Sequence, residues 1–230
     1  MGITYDSLIK LDSVMLVYLD KEDIIKLNLI SDNGLKWRIP IEKYNQVTIN
    51  LKYYAFIINN KFWIKDPKCN KIYNFLNTHF SVRNNDCMNN VKDIKLNYSS
   101  TGTDLRQNTF DIINQTSSFS NLNNAICYKA SLSNVKEDSP IIFQIISPSG
   151  ELHFIDVEYL KKNSQNGIRI YYAGLKISPF LGEGVWTFQI IFKEKIIDDK
   201  KVIYKIYKNN YSQNKINHFT QQYSSFHMEV

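Results

Sequence analysis

The chain has 230 residues, 43% of them hydrophobic and 22% charged, which is ordinary for a globular protein. Its formal net charge is +6 and its isoelectric point is near 9.0, so an acidic partner would be permitted. Lys and Arg are spread along the chain, however, whereas a nucleic-acid footprint clusters them on one face, so the charge alone does not favour a nucleic-acid-binding protein.

The cysteine pattern excludes two common kinds of small-domain scaffold. Cys69, Cys87 and Cys127 are an odd number without CxxC spacing, which indicates neither a disulfide framework nor a structural zinc site. No segment approaches the roughly 18 apolar residues of a membrane span. The N-terminus lacks the basic and apolar regions of a signal peptide. We therefore expect no transmembrane segment. An extracytoplasmic location is favoured if a signal peptide has been removed, and a cytoplasmic location otherwise.

The composition favours strands over helices. The chain contains 15 Tyr and 13 Phe together with many Ile and Val, and β-branched and aromatic side chains pack well on a pleated surface. Only eight Gly and five Pro are present, so Asn must supply many of the turns. The fold is predicted to be mainly β.

The first part of the chain is predicted to begin as an antiparallel meander. A strand candidate spans 8–19, and two alternating runs at 25–29 and 35–39 flank the dipeptide Asn33-Gly34. Asn-Gly between alternating runs is a strong hairpin signal, because a primed turn needs positive φ at both central residues. We therefore expect a hairpin centred on this dipeptide.

The meander is predicted to continue through a long strand. Apolar residues alternate with polar ones over 47–57, and the run ends at Asn59-Asn60, a second turn signal. The period then changes between 68 and 80, where four residues follow helical spacing: Ile72, Phe75, Leu76 and His79. This spacing predicts a short amphipathic helix packed on the sheet.

The middle of the chain suggests a boundary between two domains. Residues 81–124 are polar and rich in Asn, Ser and Thr, and a long structureless loop inside one compact domain is uncommon. We therefore predict an antiparallel β domain with a short helix at 1–95 and a polar linker or irregular segment at 96–124. A β-sandwich is predicted at 125–208 and a polar tail at 209–230.

The last part of the chain contains six short strand candidates separated by turn residues. They lie at 126–132, 141–146, 152–157, 168–175, 185–192 and 202–207. Pro148-Ser149-Gly150 supplies one of the turns between them. Short strands at this spacing are typical of an all-β sandwich.

One stretch carries a resemblance to a known class of module. The sequence Leu-Gly-Glu-Gly-Val-Trp-Thr-Phe-Gln-Ile at 181–190 is followed by the charged segment 193–195 and by 201–204. It resembles the closing hairpin of immunoglobulin-like β-sandwich modules, in which a glycine turn precedes a Trp-x-Phe-x-Ile strand. The resemblance covers about the last hundred residues; it implies a fold and no catalytic residue. Many such modules are extracytoplasmic accessory or binding domains.

Period-two spacing assigns faces to this strand. Four apolar side chains share one face, which we expect to be buried: Trp186, Phe188, Ile190 and Phe192. Thr187, Gln189 and Lys193 are predicted to face outward.

Catalytic and metal signatures do not emerge from the sequence. No GxSxG, HExxH, glycine-rich phosphate loop or dinucleotide-binding fingerprint is present. Cys69 or Cys87 could be paired with His79 as a nucleophile and base, but small buried thiols are the simpler interpretation. Acidic pairs occur at 22–23, 137–138 and 198–199 beside predicted turns, without EF-hand spacing. We predict no catalytic residue, no metal and no cofactor.

Two tyrosine pairs are the candidate binding residues. Tyr53-Tyr54 and Tyr171-Tyr172 each lie in a predicted strand, so one ring of each pair should face solvent. Exposed tyrosines can anchor a protein interface or stack on sugars and bases. A solvent-facing cross-strand pair without a ligand is the simpler interpretation.

These observations favour a non-enzymatic module that mediates protein–protein interaction, or a component of a larger assembly such as a secretion apparatus or virion. Open sheet edges offer main-chain pairing to a protein partner. The first alternative is a carbohydrate- or nucleic-acid-binding module that uses Tyr and Lys on a sheet face. The second is an enzyme that uses Cys or paired carboxylates. The sequence leaves the oligomeric state open.

Overall fold

The structure is a computed structural model that describes residues 3–21, 23–69, 71–83, 93–106, 109–163 and 167–207. Its residues form one α-helix and seventeen β-strands within those ranges, so the prediction of a mainly β fold is confirmed. Among the described residues, no helix is long and apolar enough to cross a membrane. The predicted tail at 209–230 lies outside the described residues.

The N-terminal unit, residues 3–83, contains the helix and the first eight strands. They are β1 (Thr4–Asp6), β2 (Val14–Asp20), β3 (Asp23–Asn28), β4 (Lys36–Arg38), α1 (Ile41–Asn50), β5 (Tyr53–Ile58), β6 (Phe62–Ile64), β7 (Ile72–Phe75) and β8 (Thr78–Val82).

The C-terminal sandwich, residues 93–207, contains the other nine strands. They are β9 (Lys95–Leu105), β10 (Ile112–Gln115), β11 (Ser118–Ser120), β12 (Ala125–Ser133), β13 (Ser139–Ile146), β14 (Leu152–Leu160), β15 (Arg169–Lys176), β16 (Gly184–Phe192) and β17 (Lys195–Lys205).

The N-terminal unit is built on one antiparallel sheet in the order β3-β2-β5-β8-β7, with β6 also paired to β5. The predicted turn at Asn59-Asn60 is present, and both residues have positive φ, 50° and 55°. One face of the sheet carries the larger apolar cluster, which includes the fully buried Leu16, Phe56 and Ile58. This face also receives Val47 from α1.

Two predictions for this unit are wrong in secondary structure. Residues 47–50 of the alternating run at 47–57 lie in α1, which begins after Pro40. Val47 of this helix is buried, and residues 41–46 are exposed. Pro is well suited to a helix start because its φ is already helical and it has no N–H to satisfy. The run therefore becomes a strand only from Tyr53.

The helix predicted between 68 and 80 is instead the hairpin of β7 and β8. Its turn residues Leu76 and Asn77 both have positive φ, 47° and 60°, as a primed hairpin turn requires. Leu is rarely found in this conformation, so the turn left little signal in the sequence. The helical spacing of these apolar residues therefore arose by chance from the two short strands β7 and β8.

The hairpin predicted at Asn33-Gly34 forms only in part. The chain does reverse there, and Gly34 has φ of 73°. A single bridge joins Ile30 to Arg38, but β4 pairs along its length with β1. The side-chain oxygen of Asn33 accepts hydrogen bonds from the N–H groups of Leu35 and Lys36, so the turn is a wider loop closed by a side chain.

The C-terminal unit is a two-sheet sandwich, as predicted. One sheet has the order β10-β9-β12-β15 and the other β11-β17-β16-β13-β14, and all six strand candidates of this region are strands. In immunoglobulin-type domains, one sheet contains strands A, B, E and D and the other G, F and C, with C′ added in variable-type domains. Here β9, β12 and β15 take the places of A, B and E, while β17, β16, β13 and β14 take those of G, F, C and C′.

The segment predicted as a polar linker or irregular segment, 96–124, belongs to this sandwich. It holds most of β9, which pairs with β12, and it holds β10 and β11. Its polar residues are compatible with a strand because one side of an antiparallel sheet can face water. The composition predicted a loop because this strand has few apolar residues, and independent folding of the two units stays a prediction.

The predicted inward face of β16 is confirmed. Three side chains of this face lie in the sandwich core: Trp186 is 2% exposed, and Phe188 and Ile190 are fully buried. The indole N–H of Trp186 donates to the carbonyl of Gly182 at 2.9 Å. Gln189 faces the other way but is also buried, because it hydrogen-bonds Gln144 at 2.7 Å and Asp199 at 3.0 Å. Its predicted exposure is therefore wrong.

The N-terminal unit packs on the outer face of the β11-β17-β16-β13-β14 sheet. Sandwich residues of that face share one apolar cluster with the N-terminal unit: Ile142, Ile155, Val157, Tyr159 and Ile191. Lys68 spans the interface, since its ammonium group donates to Asp6 and lies 3.2 Å from Glu194 of the sandwich. The face that an isolated sandwich would expose to water is thus covered.

Truncation of Trp186 should destabilise the protein strongly. Trp186→Ala is expected to lower the free energy of unfolding by about 3–5 kcal/mol, because it leaves a large cavity in the core. Thr187→Ala, on the opposite face of the same strand, should change it by no more than about 0.5 kcal/mol. Denaturant unfolding followed by circular dichroism measures both. An unmoved midpoint for Trp186→Ala would contradict the assigned faces.

Candidate functional site: the open edge of the sandwich

Strand β15 forms an unpaired edge of the sandwich. It is the last strand of its sheet, and among the described residues its far side pairs with no other strand. In an immunoglobulin-type sheet, strand D would pair with this side. The chain instead passes from the end of β14 at Leu160 to the start of β15 at Arg169, so the sheet ends where strand D would stand.

Strand β15 lacks the devices that usually protect an edge. Proteins blunt exposed edges with proline, bulges, charges or very short strands. Strand β15 has eight residues, contains no proline, and pairs with β12 without a shift of register. Its charges, Arg169 and Lys176, stand only at the two ends, and the six residues between them are uncharged.

The other described edges of the sandwich are short, partly covered or interrupted by charges or a register shift. Strands β10 and β11 have four and three residues. Strand β14 is long, but its pairing with β13 shifts register between Ile145 and Ile146. Strand β6 of the N-terminal unit also lies against it, with the rings of Phe62 and Phe154 6.1 Å apart. Strands β10 and β11 pair with only the ends of β9 and β17 and leave the rest of one side of each unpaired, but β17 carries charges along its length and the pairing of β9 with β12 shifts register. The edge of β15 is therefore a long open edge without such protection.

The inward side of β15 carries a hydroxyl group that the fold leaves unsatisfied. Tyr171 is 4% exposed, and its ring lies 5.2 Å from that of Phe143 in the core. Its buried hydroxyl has no hydrogen-bond partner among the described residues. Burial raises the pKa of Tyr171, and the charges of Asp156 and Glu158 on β14 raise it further. The hydroxyl is therefore a neutral group in an acidic environment.

The outward side of β15 is organised around a buried lysine. Tyr172 pairs across the sheet with Lys129, which is 8% exposed although it is charged. The Lys129 ammonium group donates to Asp111 at 2.8 Å and lies 5.6 Å from the centre of the Tyr172 ring. This hydrogen bond lowers the pKa of Asp111. Charge pairing of this kind offsets the cost of burying an ammonium group.

Phe110 covers part of the same face. Its ring centre is 5.4 Å from that of Tyr172, and its φ is 51°, an uncommon value for a bulky residue. The Phe110 N–H donates to the carbonyl of Arg106, and the Arg106 N–H donates to the carbonyl of Asp111. These two bonds fix the turn that lays Phe110 across the sheet.

Apolar side chains remain exposed beside this cluster. Tyr98 on β9 is 49% exposed, and Ile168 and Ile170 are 40% and 37% exposed. Tyr98 and Ile170 both stand opposite Ser131 of β12, one from each neighbouring strand, so they share a face with Tyr172. The open edge is thus bordered by an apolar strip on its outward side.

The two tyrosines of each predicted pair lie on opposite faces of their strand, as the alternation of side chains along a strand requires. Tyr171 points into the core and Tyr172 outward, while Tyr54 is buried and Tyr53 is partly exposed. The Tyr54 hydroxyl donates to Asp66 at 2.6 Å, and the Tyr53 ring stacks on Tyr73 at 4.1 Å. The two pairs lie in different sheets, so they do not form one surface. Their role in binding stays a prediction.

The described residues considered for catalysis each have other contacts. Cys69 is buried beside the hydroxyl of Tyr54, 3.2 Å away. His79 lies on β8, and its backbone carbonyl accepts a hydrogen bond from Trp63. Cys87 lies outside the described residues.

The acidic pairs are dispersed as well. Asp198 accepts a hydrogen bond from Tyr128, Asp199 from Gln189 and Asp138 from Lys161. In the ranges that the structure describes, no group of three or more His, Cys, Asp or Glu side chains could hold a metal ion.

Sequence reasoning missed the parts of the site that depend on topology. Lys129 and Asp111 lie far apart in sequence, and their pairing follows from the way the turn before β10 folds over the sheet. Within the described ranges no strand lies between β14 and β15, and the short spacing between the runs at 152–157 and 168–175 could have indicated this. That spacing is the sequence signal for the open edge.

Comparison with known proteins adds a likeness of fold alone. No protein-family model matches the chain, and no curated protein matches it. Among solved structures, an immunoglobulin-like protein from Pseudomonas aeruginosa is similar at 12% identity with a TM-score of 0.37. The match covers 50% of this chain and 99% of that protein. At this TM-score it carries no argument, and the immunoglobulin-like architecture rests on the strand order.

The thiol of Cys127 should be unreactive in the folded protein. It is 8% exposed, and burial, followed by the charge of Asp104, raises its pKa to about 11. Only about one thiol in a thousand would then be ionised at pH 8, and the thiolate is the reactive form. Alkylation with iodoacetamide, mapped by peptide mass spectrometry, should label Cys127 only after unfolding in urea. Equal labelling of native and unfolded protein would reopen the hypothesis of a reactive cysteine.

Proposed function

We propose that this protein is a non-enzymatic binding module that accepts an extended strand of a protein partner along β15. The observation that carries the proposal is the eight-residue open edge between Arg169 and Lys176, without proline, bulge or central charge. In strand addition, main-chain hydrogen bonds give affinity and the alternate side chains give specificity. The same edge could join the protein to a larger assembly.

The open side of β15 offers enough backbone N–H and C=O groups for such a contact. Successive residues of an antiparallel strand direct their N–H and C=O groups alternately toward each neighbour, so about half of the eight residues of β15 direct theirs to the open side. A partner strand would satisfy these groups and cover the apolar strip of Tyr98, Ile168 and Ile170. The partner would thus combine backbone pairing with apolar burial, and both contribute to stable complexes.

The carbohydrate- or nucleic-acid-binding alternative is less well supported. At the predicted binding residue Tyr172 it needs a free ring face with a free cation beside it, but Phe110 already contacts the Tyr172 ring and Asp111 already binds the Lys129 ammonium group. Stacking platforms for bases and sugars use rings that are accessible from one face. The features of this sheet therefore favour a protein partner at the edge.

A proline that removes an outward N–H of β15 should weaken strand binding. Of the neighbours Ala173 and Gly174, one directs its N–H to β12 and the other to the open side. One of Ala173→Pro and Gly174→Pro therefore removes only an outward N–H and should leave the free energy of unfolding within about 1 kcal/mol of wild type. That variant should bind a fluorescein-labelled nine-residue peptide of alternating Thr and Val at least tenfold more weakly. Fluorescence anisotropy measures the binding.

The control for this experiment is Tyr98→Ala, which removes an exposed ring from the sheet face and leaves the backbone of β15 intact. Strand addition predicts a smaller loss for this variant than for the folded proline variant. If Tyr98→Ala abolishes peptide binding while both proline variants retain it, the ligand lies on the face and the proposed function is contradicted.

A further inference from the structure

We propose that one corner of the sandwich binds the surface of an anionic lipid bilayer by inserting apolar side chains of three loops among the headgroups. The loops are 121–124 between β11 and β12, 177–183 between β15 and β16, and 206–207 after β17. Together they are called the apolar corner below. This inference goes beyond strand addition to β15 and does not depend on it.

Each loop of the apolar corner exposes one large apolar side chain. Leu122 and Phe180 are both 71% exposed, and Tyr207 is 60% exposed. Single exposed apolar residues are ordinary on a protein surface, but neighbouring ones indicate a site of interaction. These three stand on loops beyond the ends of the strands, so they form a protruding corner rather than a groove. A protruding apolar group suits insertion into a headgroup layer.

Hydrogen bonds hold the three loops side by side. The side chain of Asn121 accepts from the N–H of Tyr207 at 2.9 Å and donates to the carbonyl of the same residue at 3.2 Å. The N–H of Ile177 donates to the carbonyl of Asn124 at 3.0 Å. The loop 121–124 is thus joined to both of the others, and the corner is formed before any lipid binds.

Positive charges flank the apolar corner. Lys176 and Lys205 are exposed and end β15 and β17, the strands that lead into two of the loops. Because β15 and β17 belong to opposite sheets, one lysine stands on each side. The loops themselves contain one charged residue, Glu183, whose carboxylate accepts a hydrogen bond from the N–H of Ile206. Lysines set back from apolar side chains match lipid phosphates that lie above the acyl chains.

The apolar surface continues from the corner onto the outer face of the neighbouring sheet. Val185 and Ile203 pair across β16 and β17 and are 47% and 41% exposed. On β16 the N-terminal unit contacts Ile191, near the other end of the strand. Glu151, on the turn between β13 and β14, is separated from β17 by β13 and β16. The lipid contact is therefore confined to the side of the sandwich that β17 borders.

Other exposed apolar residues lack this combination with lysine. Leu76 is 79% exposed at the tip of the β7–β8 hairpin, whose basic neighbours in sequence, Lys71 and Arg83, stand at its opposite end. Ile41 is 84% exposed and is followed by Glu42 at the start of α1. An anionic bilayer attracts cations and repels carboxylates, so it would distinguish the apolar corner from both places.

A second copy of this chain is a poorer occupant of the corner. Corner-to-corner pairing would bring Lys176 and Lys205 of one copy toward the same residues of the other, and like charges repel. Anionic headgroups attract these lysines instead, and the formal net charge of +6 adds to that attraction.

The test is co-sedimentation of the full chain with vesicles of phosphatidylcholine and phosphatidylserine. Phe180→Ala is expected to weaken binding by about tenfold, because affinity for an interface scales with the inserted apolar area. Its unfolding midpoint should match wild type, since the ring is mostly exposed. The matched control, Leu76→Ala, removes an exposed apolar side chain from the other unit and should bind as wild type does.

Two further measurements examine charge and insertion separately. Replacing both Lys176 and Lys205 with Gln should weaken binding to the mixed vesicles, and added salt should do the same for wild type. Vesicles of phosphatidylcholine alone should bind wild type more weakly. In Phe180→Trp, the mixed vesicles should shift the added tryptophan emission to shorter wavelength, whereas Leu76→Trp should show no such shift.

Three results would overturn the inference: wild type fails to sediment with the mixed vesicles, Phe180→Ala sediments as wild type does, or Leu76→Ala loses as much binding as Phe180→Ala. A fourth would assign the corner to protein contact. In that case the chain forms dimers by analytical ultracentrifugation without lipid, and Phe180→Ala makes it monomeric. None of these results bears on strand addition, because the peptide-binding experiment on β15 uses no lipid.

Discussion

The backbone hydrogen bonds of strand β15 are the constraint on which this account depends. A strand in a sheet satisfies its N–H and C=O groups on both sides, and an edge strand leaves one side to water or to another chain. Among the described residues, no strand takes the place of the one that would pair with β15 in an immunoglobulin-type sheet; β14 ends at Leu160 and β15 begins at Arg169. The open edge is thus a consequence of topology rather than of one residue type.

The N-terminal unit determines which surfaces of the sandwich remain available. It covers the outer face of the β11-β17-β16-β13-β14 sheet with the cluster that includes Ile155 and Val157, and β6 lies against β14. Both parts would be exposed in an isolated sandwich. With them covered, the edge of β15 and its adjoining face are left on the opposite sheet. The N-terminal unit therefore limits which surfaces of the sandwich are accessible.

The sequence predicted the sandwich well because its signals are local. Trp186, Phe188 and Ile190 alternate without interruption, and turn residues stand between the strands, so both faces and boundaries follow from period two. The N-terminal unit was predicted less well. Its hairpin turn at Leu76-Asn77 uses a residue that rarely adopts positive φ, and an alternating run continued into α1. Tertiary packing overrode both local patterns.

The candidate site was visible in the sequence only in part. The alternation of Tyr171 and Tyr172 correctly implied that one ring points inward, but the pairing of Lys129 with Asp111 depends on a turn that crosses the sheet. Polar strand β9 also escaped detection, because its segment has few apolar residues to reveal a strand period. Non-local contacts of this kind leave no pattern within a short stretch of sequence.

Amide hydrogen exchange along β15 tests the central claim most directly, because it needs no knowledge of the partner. Site-resolved exchange of the isolated chain should show two interleaved sets of amides between Ile170 and Leu175: one protected by β12, the other exchanging at least a hundredfold faster through the open side. Equal and strong protection of both sets would show that another strand already covers this edge, and it would contradict the account.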